Sequence, residues 1–271
     1  MKFIFFGTPD VAKDTLEYLV ESGLCPLAVV TNPDAPKGRG HVMTPSPTKE
    51  YAVAKGLPVL TPDSLNEEFM KEVGALGADL AIVVAYGKIL PEVLINSFPQ
   101  GVLNIHYSLL PRWRGAAPVE YALLNNDQET GVTIQKMIKE LDAGDIVAVR
   151  RVTIEENDTT VTLRPRLIKL GAELLIETLP LYLAGEIEAT PQKASAVTFA
   201  PKLKKEAGEI KLDDDSQLNW NKYRAFAVWP GTYFFKGGKR YKVTDASFKD
   251  GVFQIEKVIP EGGREIDWIS V

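Results

Sequence analysis

Cysteine and histidine are scarce in this chain. The single cysteine, Cys25, excludes an internal disulfide and any cysteine-rich zinc site, and makes a reducing compartment, the cytoplasm, the simplest expectation. Two histidines, His41 and His106, supply no recognisable ligand cluster, so no metal is expected. Long apolar runs are missing as well. Met1-Lys2 leads into Phe3-Ile4-Phe5-Phe6 and is cut by Gly7, too short for a signal peptide or a membrane span, so no membrane partner is expected. Nor is there a strong excess of charge: the net value of −5 argues against a uniformly basic nucleic-acid binder. Residues 1–200 carry 18 basic against 25 acidic side chains and residues 201–271 carry 13 against 11, so the tail is the relatively basic part. Finally, Gly7-Thr8-Pro9-Asp10 stands where a Gly-x-Gly-x-x-Gly fingerprint would bind a dinucleotide, and none is expected.

What is present is ordinary globular material. At 271 residues, 45% of them apolar, the chain fits one large α/β unit plus a smaller one. Residues 3–6 do not alternate and read as a strand buried on both faces. Gly7 allows the turn after it, Thr8 can cap, Pro9 suits the first helical position and Asp10 favours the positive end of the helix dipole. Residues 27–31 read as a second strand, 48–55 as a helix stopped by Gly56, and 80–85 as the most apolar strand, expected at the sheet centre beside the strand carrying Asn104. Residues 32–47 are too rich in proline and glycine for helix or strand and read as a long loop holding Lys37, Arg39 and His41. Thr159 or Thr160 is expected to cap a long helix with leucines at helical spacing.

The fold class expected is therefore α/β, a Rossmann-like and mostly parallel sheet, followed by a small β-barrel. A helix at 223–229 and strands at 232–235, 240–243 and 252–258, separated by glycine turns, carry the second expectation. The expected division is 1–185 for the first domain, 186–205 for a linker with two rigid X-Pro breaks, and 206–271 for the second domain.

The chemistry centres on residues 101–118. Val102, Leu103 and Ile105 read as a buried parallel strand that Gly101 precedes and Ser108 and Pro111 follow. Asn104 and His106 sit two apart near its carboxyl end, so both project to one face, where open α/β sheets bind ligands. An amide and an imidazole converging on one cleft suit a carbonyl that becomes an oxyanion. The proton acceptor expected is Asp142, in a glycine-containing turn between two β-like runs; Asp145 is the alternative and reads as a turn carboxylate.

Asn104, His106, the Ser-Leu-Leu-Pro-Arg-Trp-Arg-Gly-Ala-Ala-Pro run at 108–118, and Asp142 in Leu-Asp-Ala-Gly-Asp together resemble the signature of the formyltetrahydrofolate-dependent formyltransferase family, over nearly the whole chain. The members most resembled act on methionyl-tRNA. The resemblance implies transfer of a formyl group from 10-formyltetrahydrofolate, a co-substrate, to the α-amino group of methionine on initiator Met-tRNA, with Asn104, His106 and Asp142 as catalytic residues. It implies a reduced-folate pocket formed by Ser108, Leu109, Leu110 and Pro111 with Tyr86, Gly87, Ile89 and Leu90. It also implies tRNA contact by Arg39, with Lys37 beside it, by Lys202 and Lys204, and by a second domain that resembles an OB-fold.

Two features depart from the family pattern: Ile210-Lys211-Leu212-Asp213 stands where Ile-Asp-Trp is usual, and with an end at Val271 the expectation is a barrel that is trimmed, incomplete or without its last strand. Arg112 and Arg114 are left between a folate tail, an RNA phosphate and a brace for their own loop. A monomer is expected. The rival acceptor is an amino-sugar nucleotide; a folate hydrolase, a folate-binding module without turnover and an RNA-binding accessory protein are the remaining readings.

Overall fold

Four apolar residues followed by a glycine form the first strand, β1 (Phe3–Gly7), and every one of its residues is buried. Gly7 is there for a close approach, since a Cβ would lie 2.5 Å from Ala12 Cβ and 3.0 Å from the Val84 carbonyl oxygen. Helix α1 (Asp10–Glu21) starts at Asp10, one residue later than the sequence suggests. Thr8 does not cap it: its hydroxyl instead donates to the Tyr86 carbonyl at 3.0 Å, across to the end of another strand. The computed structural model that gives this geometry describes residues 1–38 and 40–269.

After β2 (Ala28–Val30) the stretch expected to be irregular contains a small ribbon, β3 (Ala35–Lys37) paired antiparallel with β4 (Val42–Thr44). Pro36 is tolerated because a two-stranded ribbon has only edges, where a missing N–H breaks nothing. Arg39 lies outside the described residues. Ser46 then caps α2 (Pro47–Ala54) by accepting from the Lys49 amide at 3.1 Å. The chain continues through β5 (Val59–Leu60), α3 (Glu67–Ala75), β6 (Leu80–Val84), the short α4 (Glu92–Asn96) and β7 (Val102–His106). β8 (Arg114–Gly115) and α5 (Pro118–Leu124) precede β9 (Glu129–Lys136), β10 (Ile146–Thr153) and the long α6 (Thr160–Leu183).

The chain divides into two units. The first comprises Met1–Pro111, Gly131–Arg150 and Leu167–Val197. Its sheet has the order β10-β9-β7-β6-β1-β2-β5, so the most apolar strand, β6, is fourth of seven and lies next to β7, as its sequence demands. Strands β5, β2, β1, β6 and β7 run parallel, and β9 joins β7 antiparallel. The sheet is thus mostly parallel. Because β1, β6 and β7 point the same way, their carboxyl ends share one edge, the edge at which α/β sheets present ligand-binding groups.

The second unit comprises Arg112–Thr130, Arg151–Arg166 and Thr198–Val271. Within it β11 (Phe199–Ala200) pairs parallel with β8, and Gly115 is held so close to the Ala200 carbonyl oxygen that a Cβ would lie 2.6 Å from it. Helix α7 spans Ser216–Ala225, well upstream of the expected 223–229, because Asp215 caps it by accepting from the Leu218 amide at 3.0 Å. Strands β12 (Thr232–Lys236), β13 (Lys239–Lys249), β14 (Val252–Pro260) and β15 (Ile266–Asp267) form an antiparallel sheet in that order. β13 runs six residues beyond the expected 243, past register shifts around Asp245 that let one strand bend without breaking. Its inner face buries Ile210, Phe234, Val243 and Val258.

Polar residues bind this unit together. The Arg224 guanidinium, 3% exposed, donates to the Glu156 carbonyl and to the side-chain oxygens of Asn126 and Asn221. Thr159 caps α6, its hydroxyl accepting from the Val161 amide at 3.2 Å. Just before it, Asp158 accepts from the Glu155 amide, the Thr162 hydroxyl and the Arg166 guanidinium. Burial alone would push the Asp158 carboxyl upward, but these three donors prevail and hold it below the ordinary aspartate value. A depressed carboxyl contributes stability above its unfolded pKa, about 3.9, and that contribution disappears as the pH falls through the lower folded value. Urea unfolding of Asp158→Asn at pH 7 and pH 3 should therefore show a smaller loss on acidification than wild type. Equal losses in the two proteins would assign the acid sensitivity elsewhere.

Candidate active site

In β7, alternation turns Asn104 and His106 to one face, and the antiparallel partner β9 sets Gln135 opposite Asn104 and Thr133 opposite His106. Four polar side chains thus form two neighbouring cross-strand pairs inside an apolar sheet. Asn104 is 9% exposed, His106 6%, Gln135 1% and Thr133 fully buried. Thr133 anchors the chain beyond β7: its hydroxyl donates to the Ser108 carbonyl at 2.7 Å and accepts from the Leu110 amide at 3.1 Å. The loop from Ser108 to Pro111 is thereby held back against the sheet.

Asp142 lies in the turn between β9 and β10, with a backbone φ of 51°, in the left-handed region that favours glycine. Two residues on, Gly144 is irreplaceable, because a Cβ there would lie 1.7 Å from the Lys136 carbonyl oxygen. The turn brings the Asp142 carboxylate to the β7 face. Gln135 Nε2 donates to Asp142 Oδ1 at 2.9 Å, and His106 Nδ1 lies 3.7 Å from the same oxygen. The Gln135 amide oxygen is buried with no hydrogen-bond partner among the described residues. From a different part of the chain, Gln192 Nε2 donates to the backbone carbonyls of Asp142 at 2.9 Å and Gly144 at 2.7 Å. Asp145, the alternative acceptor, has an exposed side chain, and its carbonyl accepts from the Lys136 amide at 2.9 Å.

Such an arrangement has a definite chemistry. Amide and imidazole N–H groups can donate to an oxygen that gains negative charge, and a carboxylate screened from water can accept a proton beside them. The side chains of His106 and Asp142 are 7% and 10% exposed, so both act in a medium where such interactions are stronger than in water.

Comparison with known proteins shows the family. The formyl transferase family profile matches residues 1–179, and that of the formyl transferase C-terminal domain matches residues 202–267. The chain belongs to the formyl transferase family. A methionyl-tRNA formyltransferase from Dictyoglomus turgidum is 42% identical over 94% of this chain and 82% of its own. Two solved structures share the formyl transferase fold. Methionyl-tRNA formyltransferase from Clostridium thermocellum has a TM-score of 0.64 at 15% identity, covering 99% of this chain and 100% of its own. An N-formyltransferase from Helicobacter canadensis, in complex with folinic acid and dTDP-3-aminofucose, has a TM-score of 0.68 at 18% identity, covering 94% and 95%.

This formyl transferase treats the other sequence-predicted residues unequally. The Tyr86 ring packs edge-on against Phe6 in the core, where burial pushes its hydroxyl up to about 12, and Leu90 is buried in the same cluster. Both therefore have core-packed side chains. Gly87 takes a φ of 84°, and Ile89 is 84% exposed. An ion pair at 3.6 Å joins Glu92 at the start of α4 to Lys139 in the β9–β10 connection, and Ile89, Val93, Ile138 and Leu141 along these two segments are each exposed. Leu109 is half-buried and Leu110 buried, next to Pro111.

Lys37 is exposed on β3, and Lys202 and Lys204 are exposed residues of the second unit. Arg112 binds Asp127 through Nε and Nη2 and stacks on Trp113 at 4.3 Å, while the Trp113 indole donates to the same carboxylate at 2.8 Å. These contacts brace the loop that carries Arg112. Among the described residues no group of three His, Cys, Asp or Glu side chains converges as a metal site would require, and no helix is long and apolar enough to cross a membrane. Sequence reading missed Gln135 and Gln192. Thr133 and Gln135 are polar residues at period two in an apolar run, which marks a shared face but not the Asn104 strand as its neighbour. Nothing local marks Gln192.

Proposed function

We propose that this formyl transferase moves a formyl group from 10-formyltetrahydrofolate to the α-amino group of methionine on initiator Met-tRNA, giving formylmethionyl-tRNA for translation initiation. The observation that carries the reading is the juxtaposition of the nearly buried side chains of Asn104, His106 and Asp142, with Gln135 between them, at the strand ends. The name of the 42% identical relative supports the acceptor.

Reduced folate supplies the formyl group. The exposed apolar side chains of Ile89, Val93, Ile138 and Leu141 and the unmet amide oxygen of Gln135 are chemically suited to a flat heterocycle with N–H donors. Gly87 and the backbone of Ser108 to Pro111 complete the pocket. Asn104 and His106 donate to the formyl oxygen as attack by the amine builds charge on it. Asp142, directly or through a water, takes the proton the amine must lose, and collapse of the adduct breaks the carbon–nitrogen bond to the folate, whose nitrogen regains a proton from His106 or from a water held by Asp142. The nucleophile belongs to the substrate, so no covalent enzyme intermediate is required. In this reading Arg39, Lys37, Lys202 and Lys204 face tRNA, residues 1–185 carry the chemistry, 186–205 link, 206–271 add nucleic-acid contact, and the enzyme works as a cytoplasmic monomer.

The test is formyl transfer from 10-formyltetrahydrofolate to Met-charged initiator tRNA, with a dTDP-amino sugar as the competing acceptor. Transfer to tRNA alone is the expected result; transfer to the sugar alone would replace the acceptor and keep the chemistry. In the same assay Arg39→Ala should raise KM for Met-tRNA about tenfold, the scale of one lost charge-assisted contact, while folate affinity stays put. Unchanged tRNA kinetics would remove Arg39 from the tRNA site.

A further inference from the structure

Part of the stretch that reads as a linker is tied to the candidate site. Thr190 exchanges both backbone hydrogen bonds with Ile146 at the start of β10, each at 2.8 Å. Two residues later the Gln192 side-chain amide meets the two carbonyls of the Asp142 turn, at 2.9 and 2.7 Å. One amide nitrogen has two hydrogens, so a single side chain satisfies both acceptors. The turn needs such a hold. Aspartate enters the left-handed region more readily than most non-glycine residues but still at a cost, so a contact on the turn backbone helps to keep Asp142 at a φ of 51°.

We propose that Gln192 is a positioning residue for Asp142: its amide clamps the turn backbone in the left-handed conformation that delivers the carboxylate to Gln135 and His106. The inference rests on Asp142 being the proton acceptor of the proposed reaction. Without the clamp, rotation of Asp142 toward an ordinary φ carries its carboxylate away from the 2.9 Å bond with Gln135. Misplacement of a catalytic group by about 1 Å costs on the order of a hundredfold in rate. In these contacts Gln192 Nε2 meets the backbone carbonyls of the turn, so the loss expected is in kcat rather than in substrate affinity.

An isosteric exchange isolates the donors. Gln192→Glu keeps the shape but turns an acceptor toward two carbonyls, whereas Gln192→Lys restores a donor with enough hydrogens for both. In the full-length enzyme, Gln192→Glu should lower kcat for formyl transfer by about thirtyfold to a hundredfold with KM for Met-tRNA and the Kd for folinic acid nearly unchanged, and Gln192→Lys should recover most of the loss. Placed in an Asp142→Asn background, Gln192→Glu should cost almost nothing more, because it acts through Asp142. Should Gln192→Glu fail to fold, Gln192→Met, which removes the donors without adding charge, takes its place in the same comparisons. Wild-type kcat in the Glu variant, equal defects in the Glu and Lys variants, or a full extra loss in the Asp142→Asn background would each overturn the proposal. Full activity of Asp142→Asn alone would instead overturn the reading of Asp142.

Discussion

Asp142→Asn should lower kcat for formyl transfer by about a thousandfold, within the range expected when a positioned general base is lost. The substitution is nearly isosteric, and its amide oxygen can still accept from Gln135 Nε2, so the 2.9 Å contact and the turn around it have no reason to collapse. What disappears is basicity. An amine attacking a formyl carbon becomes cationic and must shed a proton before the carbon–nitrogen bond to the folate can break productively. His106, with Nδ1 3.7 Å from the Asp142 carboxylate, would then stand beside a neutral amide that cannot balance a charged imidazole. Single-turnover transfer measured at saturating folate and tRNA separates chemistry from binding, and folinic acid titration checks that the pocket is intact. A variant that transfers within tenfold of wild type would pass the role of proton acceptor to water or to another group.

Asn104→Ala should lower kcat by about a hundredfold or more, the usual consequence of deleting one donor to a developing oxyanion. Asn104 is inside the sheet and 9% exposed, so the truncation also leaves a small polar void next to Gln135. Thermal unfolding of the variant gives the size of that structural part, and the remaining defect belongs to the reaction. The combined variant Asn104→Ala with Asp142→Asn is the stronger measurement. If both side chains serve one transition state, the two losses should combine to less than their product, since each is worth its full amount only when the other is present. Strict multiplicativity would mean that Asn104 acts on a different step, such as holding the folate.

Much of this site was legible because its logic is local. Asn104 and His106 are two apart in an apolar run, and the pleat turns such residues to one face whatever surrounds them. Asp142 was legible from a turn containing glycine between two β-like runs. Gln135 was not, since its place opposite Asn104 depends on the register of an antiparallel partner 31 positions away in the chain. Gln192 was still less so: it reaches the turn across 50 positions, and its neighbourhood of prolines and alanines reads as connection. The errors in the second unit were of another kind. Asp215 is an ordinary helix cap that the apolar pattern around Tyr223 overshadowed, and the bulge near Asp245 conceals one long strand as a short one. The ribbon of β3 and β4 is not legible because Pro36 and the nearby glycines read as breakers, whereas a two-stranded ribbon has only edges, where proline is tolerated.

The seven-stranded sheet has two rims, and a rim is where a foreign strand could attach itself. One is β5, two residues long and preceded by Pro58, which offers almost no row of unpaired amides. The other is β10, eight residues long and potentially adhesive. Its near end is already paired by Thr190, and toward its far end Arg150 and Arg151 are engaged with Glu177 and Glu129. Charged side chains on an edge strand oppose stacking of one copy on the next. The backbone pair between Thr190 and Ile146 therefore also covers the near end of this rim, and chain loss around Thr190 should surface as turbidity.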